Sequence, residues 1–266
     1  MKAYLTYFKN QMIIGLQYRA AALGGLATQF FWGLFFVFIY EAFYSYTSID
    51  SINYKELMCY VWLGQAFFSL TLPSFKDREV LEGIKNGTVA YELTRPYNLY
   101  TWWYLKQLSK RYAACILRFL PIIIFSLLLP KPYNLALPIS LNAFILFLIT
   151  LLLGSFITAS LDMLVLIISF FTYDEKGISS IVVTVTGLLA GFFIPLPLLP
   201  SALEKICNYL PFSKIFDLSY RVYSGNIGCN RALNDICIQL VWILILILIG
   251  KIIMKKALKK VEVQGG

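Results

Sequence analysis

The sequence predicts an all-α polytopic membrane protein of six transmembrane helices. Three observations carry that prediction. Hydrophobic residues make up 59% of the 266 positions and charged residues only 14%, where a soluble domain carries about 25% charged residues. Several apolar windows approach the roughly 20 residues that cross about 30 Å of hydrocarbon. Polar and charged residues are not spread between these windows but gathered into a few short segments, the densest of which is 76–96. Around the six spans we expect an N-terminal interfacial amphipathic helix, a cytoplasmic helix between spans two and three, and short re-entrant helices between spans five and six. The whole chain, 1–266, reads as a single transmembrane domain.

The remaining bulk features exclude several classes of function. The net charge of +9 would suggest nucleic acid in a soluble protein. In a membrane protein it reflects cytoplasmic loops rich in Lys and Arg, so no nucleic-acid partner is expected and membrane lipid is. The chain has no histidine, which removes His-based metal sites and Ser-His-Asp or Cys-His catalysis. Its five cysteines, Cys59, Cys115, Cys207, Cys229 and Cys237, have no CxxC spacing. They read as small buried apolar residues, with a disulfide between Cys207 and Cys229 as the alternative for that pair.

Residues 1–22 are interrupted by Lys9, Asn10, Gln11, Gln17 and Arg19, so they are not a signal peptide. Leu5, Phe8, Met12 and Leu16 recur at helical spacing, as in a helix lying in the membrane interface; a plain basic tail is the alternative. The first span, 23–44, opens with Gly24, Gly25 and Ala27, small residues that let another helix approach. Glu41 falls near its outer end. The second span covers 57–75. A basic amphipathic helix over 97–112, with Lys106, Lys110 and Arg111 on its polar face, is expected to rest on the membrane surface. Spans three and four cover 113–129 and 137–171, and the fifth, 178–194, stops at Pro195, Pro197 and Pro200. Segment 195–235 has apolar stretches too short to cross, as in re-entrant helices covered by protein or a water-filled cavity. The sixth span, 236–254, ends in a basic tail. With both termini in the cytoplasm, the inner segments (1–22, 76–112, 172–177, 251–266) hold sixteen Lys and Arg and the outer ones hold six. That asymmetry decides the orientation.

Segment 76–96, KDREVLEGIKNGTVAYELTRP, is the one long charged run. Asp77 to Lys85 suits a short helix stopped by Asn86-Gly87. Thr88 to Thr94 is expected to run extended into Arg95-Pro96, where the proline disfavours helix. A plain solvated loop is the alternative. The pattern Glu82-Gly83-Ile84, Asn86-Gly87, Leu93, Arg95 and Pro96 resembles the first cytoplasmic loop of ABC-2 type permeases, and of a bacterial subgroup formerly of unknown function. Tyr18-Arg19, the Pro195-Leu196-Pro197 exit and the terminal Val263-Gln264-Gly265-Gly266 agree with it, so the resemblance covers essentially the whole chain.

The resemblance implies a permease subunit of an ATP-binding cassette transporter, most often an exporter, in the bacterial plasma membrane. It implies two ATPase subunits that hold the ATP and Mg, and a second permease copy, identical or paralogous. It also implies that a coupling helix presents Asp77, Arg78, Glu79, Glu82, Gly83, Lys85 and Gly87 to the ATPase, with Arg95 and Pro96 bracing the return. No GxxxxGK[ST] occurs in the chain, so the permease itself is expected to be no enzyme and to bind no cofactor. The aromatic content of 17% fits an apolar or amphipathic cargo, though interfacial anchoring explains aromatics equally well.

Asp162 is the one acid well inside a span, where a charge costs about 2.5–3.5 kcal/mol on insertion scales. It is either a substrate or proton site, as in an ion-coupled secondary transporter, or half of a helix–helix pair with Arg118. An embedded enzyme would lack the usual acid–base groups.

Overall fold

The computed structural model describes residues 2–46, 51–73, 77–172 and 176–259. The expectations for Lys76, for 173–175 and for the terminal Val263-Gln264-Gly265-Gly266 fall outside them. The described residues form helices and turns without a strand.

Helix α1 (Lys2–Leu16) packs along α7 (Leu99–Leu128), and none of its residues is fully buried. Gly15 permits the contact, because a Cβ there would lie 2.6 Å from that of Ala113. After a break at Gln17-Tyr18 the chain enters α2 (Arg19–Tyr46), which packs on α3 (Tyr54–Ala66) and α7. Gly33 of α2 is where Trp62, itself fully buried, fits. Asn53 and Glu56 form a reciprocal capping box at the start of α3, which satisfies two amide groups that would otherwise have no partner. The helix breaks at Phe67 and resumes for one turn as α4 (Phe68–Thr71).

Beyond the charged segment, α7 runs for 30 residues through Pro121. The surface helix expected over 97–112 and the expected third span are therefore one continuous helix. Its basic face does not rest on a membrane surface: Lys106 and Arg111 are buried against acids from other elements. Helix α8 (Leu141–Thr172) is the central post, contacting α7 and two later helices, Asp217–Ser224 and Cys229–Leu258. Gly154 on α8 meets the Ile215 carbonyl so closely that a Cβ would lie 1.9 Å from the oxygen. Only glycine lets the backbone of another segment approach a helix to that distance.

Helix α9 (Lys176–Leu189) is shorter than the expected fifth span. Its end is a glycine stop: Gly191 adopts φ +86°, and the amides of Phe192 and Phe193 both donate to the Gly187 carbonyl. A 3₁₀ turn at Leu196–Leu198 leads to α10 (Ser201–Tyr209) and α11 (Asp217–Ser224). Neither is long enough to cross a bilayer. The chain closes with α12 (Cys229–Leu258), which lies along α8. Among the described helices four, α2, α7, α8 and α12, are long and apolar enough to span a membrane. The expected second and fifth spans correspond to the broken α3–α4 pair and to α9. Cys207 and Cys229 are both free thiols, so the disulfide alternative is ruled out.

Candidate functional site: a charged helix fastened to the bundle

The charged segment folds as α5 (Arg78–Lys85) and α6 (Val89–Leu93). Asp77 is the N-cap of α5, its carboxylate accepting from the Val80 amide at 3.3 Å. Asn86 ends the helix and Gly87 turns the chain at φ +69°, where the absence of a side chain removes the steric penalty. The stretch 88–94, expected to be extended, is instead helical over α6. Proline disfavours helix at the residue before it and cannot itself donate to a helix, so Pro96 ends the coil near Arg95 and leaves 89–93 free to form it. Asn98 then caps α7, accepting from the Thr101 amide at 2.9 Å.

One face of α5 is apolar and buried. Val80, Leu81 and Ile84 join Val89, Trp103, Met163, Leu166 and Phe170 in a core distinct from the one around Trp62. The opposite face, Arg78, Glu79, Glu82 and Lys85, is exposed. A helix of eight residues is too short to be stable alone, so it must be held by tertiary contacts. Beside the apolar face, ionic contacts fix its first turn. Asp77, 1% exposed, receives Lys106 Nζ at 3.3 Å and Lys110 Nζ at 2.8 Å. Lys106 also reaches Glu79 at 2.5 Å. Burial alone would raise the Asp77 carboxyl, but Lys106, Lys110 and the Val80 amide together hold it below the ordinary carboxylate value.

Deeper on the same face of α7 lies Arg111. Its Nε donates to Asp162 Oδ2 at 3.0 Å, and its Nη2 donates to the same oxygen. Its Nη1 donates to the carbonyls of Ser69 and Leu72, at 3.1 and 2.8 Å. Those carbonyls belong to the final turn of α4, where no intrahelical partner remains. A single buried guanidinium thus ties α7, α8 and the root of the charged segment together. The segment's other end is also tied: Trp103 Nε1 donates to Glu92 at 2.8 Å. Trp102 stacks between Tyr7 of α1 and Tyr97, with centroids at 3.6 and 4.3 Å.

The structure sorts the expected site residues into two groups. Arg78, Glu79, Glu82, Lys85, Arg95 and Pro96 are at the surface, with Gly83 and Gly87 half-buried beside them. Asp77 is a buried anchor. Asp162 pairs with Arg111, not with Arg118, which stands two turns further along α7, about 10 Å in axial rise. Arg118 is half-buried with its guanidinium against Gly25, and its Nε has no partner among the described residues. Lys106, Lys110, Arg111 and Glu92 were not singled out as site residues from sequence. The one available signal was Asp162, an acid inside an apolar span, which requires a cation.

A second polar knot lies around α11. Tyr60 donates to Asp217 at 3.0 Å or to the Gly191 carbonyl at 3.1 Å. Arg221 meets Asp217, Glu204 and Asn226 at 3.4, 3.1 and 2.7 Å, and Asn226 donates on to Glu56 at 3.0 Å. Lys214 pairs with Asp235 at 2.6 Å.

A family model described as "ABC-2 family transporter protein" matches residues 27–265. No curated protein matches the chain.

Proposed function

The chain belongs to the ABC-2 family of transporter proteins, and on that premise we propose that it is the membrane permease of a transporter driven by separate ATPase subunits, with α5 as their docking helix. The family as a rule works with such subunits. The observation that carries the assignment is the two-sidedness of α5. Its apolar face and its cap are fastened to α7 and α8, while Arg78, Glu79, Glu82 and Lys85 face outward. A push on that outer face would pass through Asp77 to Lys106 and Lys110, and through them into a helix that continues for the length of a membrane span. A solvated connecting loop needs neither the buried face nor the anchors.

Several finer assignments complete the proposal. Six crossings arise if α3–α4 and α9 are counted with the four long helices. Both termini and α5 then lie in the cytoplasm of a bacterial cell, on the side richer in Lys and Arg. Two ATPase subunits bind ATP and Mg and act on a pair of permeases, identical or paralogous. The cargo is exported and is apolar or amphipathic. The permease itself carries out no hydrolysis and binds no cofactor. Use of Asp162 as an ion-coupling site has no support from the geometry, because a buried arginine already holds its carboxylate.

The test is purification of the tagged chain from its native membrane with its partners. Arg78→Glu with Glu82→Lys should release the ATPase while leaving insertion and melting temperature unchanged. Retention of the ATPase with unchanged ATP turnover would overturn the assignment of α5.

A further inference from the structure

At the end of α7 far from α5, a groove of about 560 Å³ opens between α7 and α8, a volume typical of small-molecule sites. On α7 it extends from Tyr112 to Leu127, fifteen residues, or about 22 Å at 1.5 Å per residue. Its walls are hydrocarbon and aromatic. The two phenols among them are already engaged, Tyr112 with Ser155 at 2.7 Å and Tyr223 with the Ala136 carbonyl at 3.0 Å. The groove therefore offers an occupant no polar partner along its length. Ile116, Leu127 and Leu148 on its rims are exposed, so it opens sideways, where a bilayer would lie.

The groove does not end blind. Leu127, Leu135 and Leu137 also wall a second cleft of about 520 Å³, which adds Lys55, Lys131 and Asn134. Both lysines are exposed, and neither forms an ion pair among the described residues. Two acids belong to that region, and both are engaged: Glu56 accepts from Asn53 and Asn226, and Glu41 accepts from Tyr133. An apolar trough thus leads into a mouth with two exposed lysines.

We propose that this groove binds an acidic glycerophospholipid, one acyl chain lying along α7 and the phosphate held between Lys55 and Lys131. The occupant must be long, apolar and laterally accessible at one end and anionic at the other. A bilayer lipid with net negative charge meets each of these demands. A zwitterionic lipid would bring its own cation against the two lysines. The proposal does not rest on the transport reading, since it requires only that the chain sits in a membrane.

The full-length protein in nanodiscs of phosphatidylcholine, doped with phosphatidylglycerol bearing a diazirine near the chain end, provides the test. Crosslinks should map to peptides spanning 112–127 and 144–148. Since each surface lysine contributes about fivefold to acidic-lipid binding, Lys55→Glu and Lys131→Glu should each lower that labelling at least fivefold. Leu148→Trp should abolish it by filling the groove, with labelling of α2 unchanged. Both lysines are exposed, so their reversal is not expected to unfold the protein. Equal labelling by a phosphatidylcholine probe, or labelling indifferent to both lysines, would mean annular lipid only and would overturn the proposal.

Discussion

Two helices of eight residues, α5 and α11, show how differently the same length of chain can be used. In α5 three residues are buried, and Arg78, Glu79, Glu82 and Lys85 face outward. In α11 all seven residues from Asp217 to Tyr223 are buried. Both are held by a carboxylate at the first turn. Asp77 is bound by two lysines, one of which is 43% exposed at its side chain. Asp217 is bound by a buried arginine and a buried tyrosine. The lesson concerns mobility. A helix fastened along one face, by contacts that water partly screens, can be pressed and can shift. A helix buried on all sides and tied by buried ion pairs specifies one arrangement. That difference suits α5 to the proposed coupling role and α11 to holding α3, α8 and α10 in place.

Changes that reach beneath both helices should have the largest effects. Asp162→Ala leaves the Arg111 guanidinium buried and half-satisfied, a change that typically costs about 3–5 kcal/mol. The expected result is a lower melting temperature and reduced membrane yield. Arg111→Met with Asp162→Leu should recover most of that loss, because replacing a whole buried pair by apolar residues is often neutral. If Asp162→Ala instead inserts and melts normally but abolishes transport, the pair is a functional site rather than a brace.

Next come the two carboxylates, which set the comparison directly. Asp217→Asn should cost about 1–3 kcal/mol, the usual consequence of an incompletely satisfied buried group. Asp77→Ala removes a cap worth about 1 kcal/mol together with its lysine pairs. It should free α5 for proteolysis near 78–85 while α8 and α12 stay protected. Equal protease sensitivity in the Asp217 variant would erase the distinction between the two helices.

A smaller effect is expected with pH. The folded Asp77 carboxyl sits below its unfolded value, ordinarily about 3.9, so its contribution to stability is full above that value. It is lost as pH falls below about 4 through the folded value. Between pH 6 and 8 the proteolysis of α5 should not change.

The elements that local chemistry decides were legible in the sequence. Asp77 is a residue type that caps helices, and Asn86-Gly87 is a stop that only a left-handed turn explains, so α5 could be placed to the residue. The helical class followed from apolar windows alone. What escaped was decided at long range. The basic stripe Lys106, Lys110, Arg111 has the pattern of a surface helix, and nothing nearby in sequence reveals that Asp77 and Asp162 reach it from 33 and 51 residues away. Arg118 was the nearer candidate for Asp162 by hydropathy, lying deeper in a span, but helical rise sets it two turns too far. The shortness of α9 was likewise hidden. Ala190-Gly191-Phe192 reads as apolar span, and only the +86° φ at Gly191 ends the helix there.

The smallest structural change tests the central claim most directly. Arg78→Glu with Glu82→Lys touches only the outer face of α5, where substitutions should alter stability by no more than about 0.5 kcal/mol. Lys205→Glu, exposed on α10, serves as the matched control. ATP turnover and ATPase retention should collapse in the first variant and be unchanged in the second, both proteins melting with the wild type. Retention of the ATPase by the α5 variant at wild-type turnover would contradict the account.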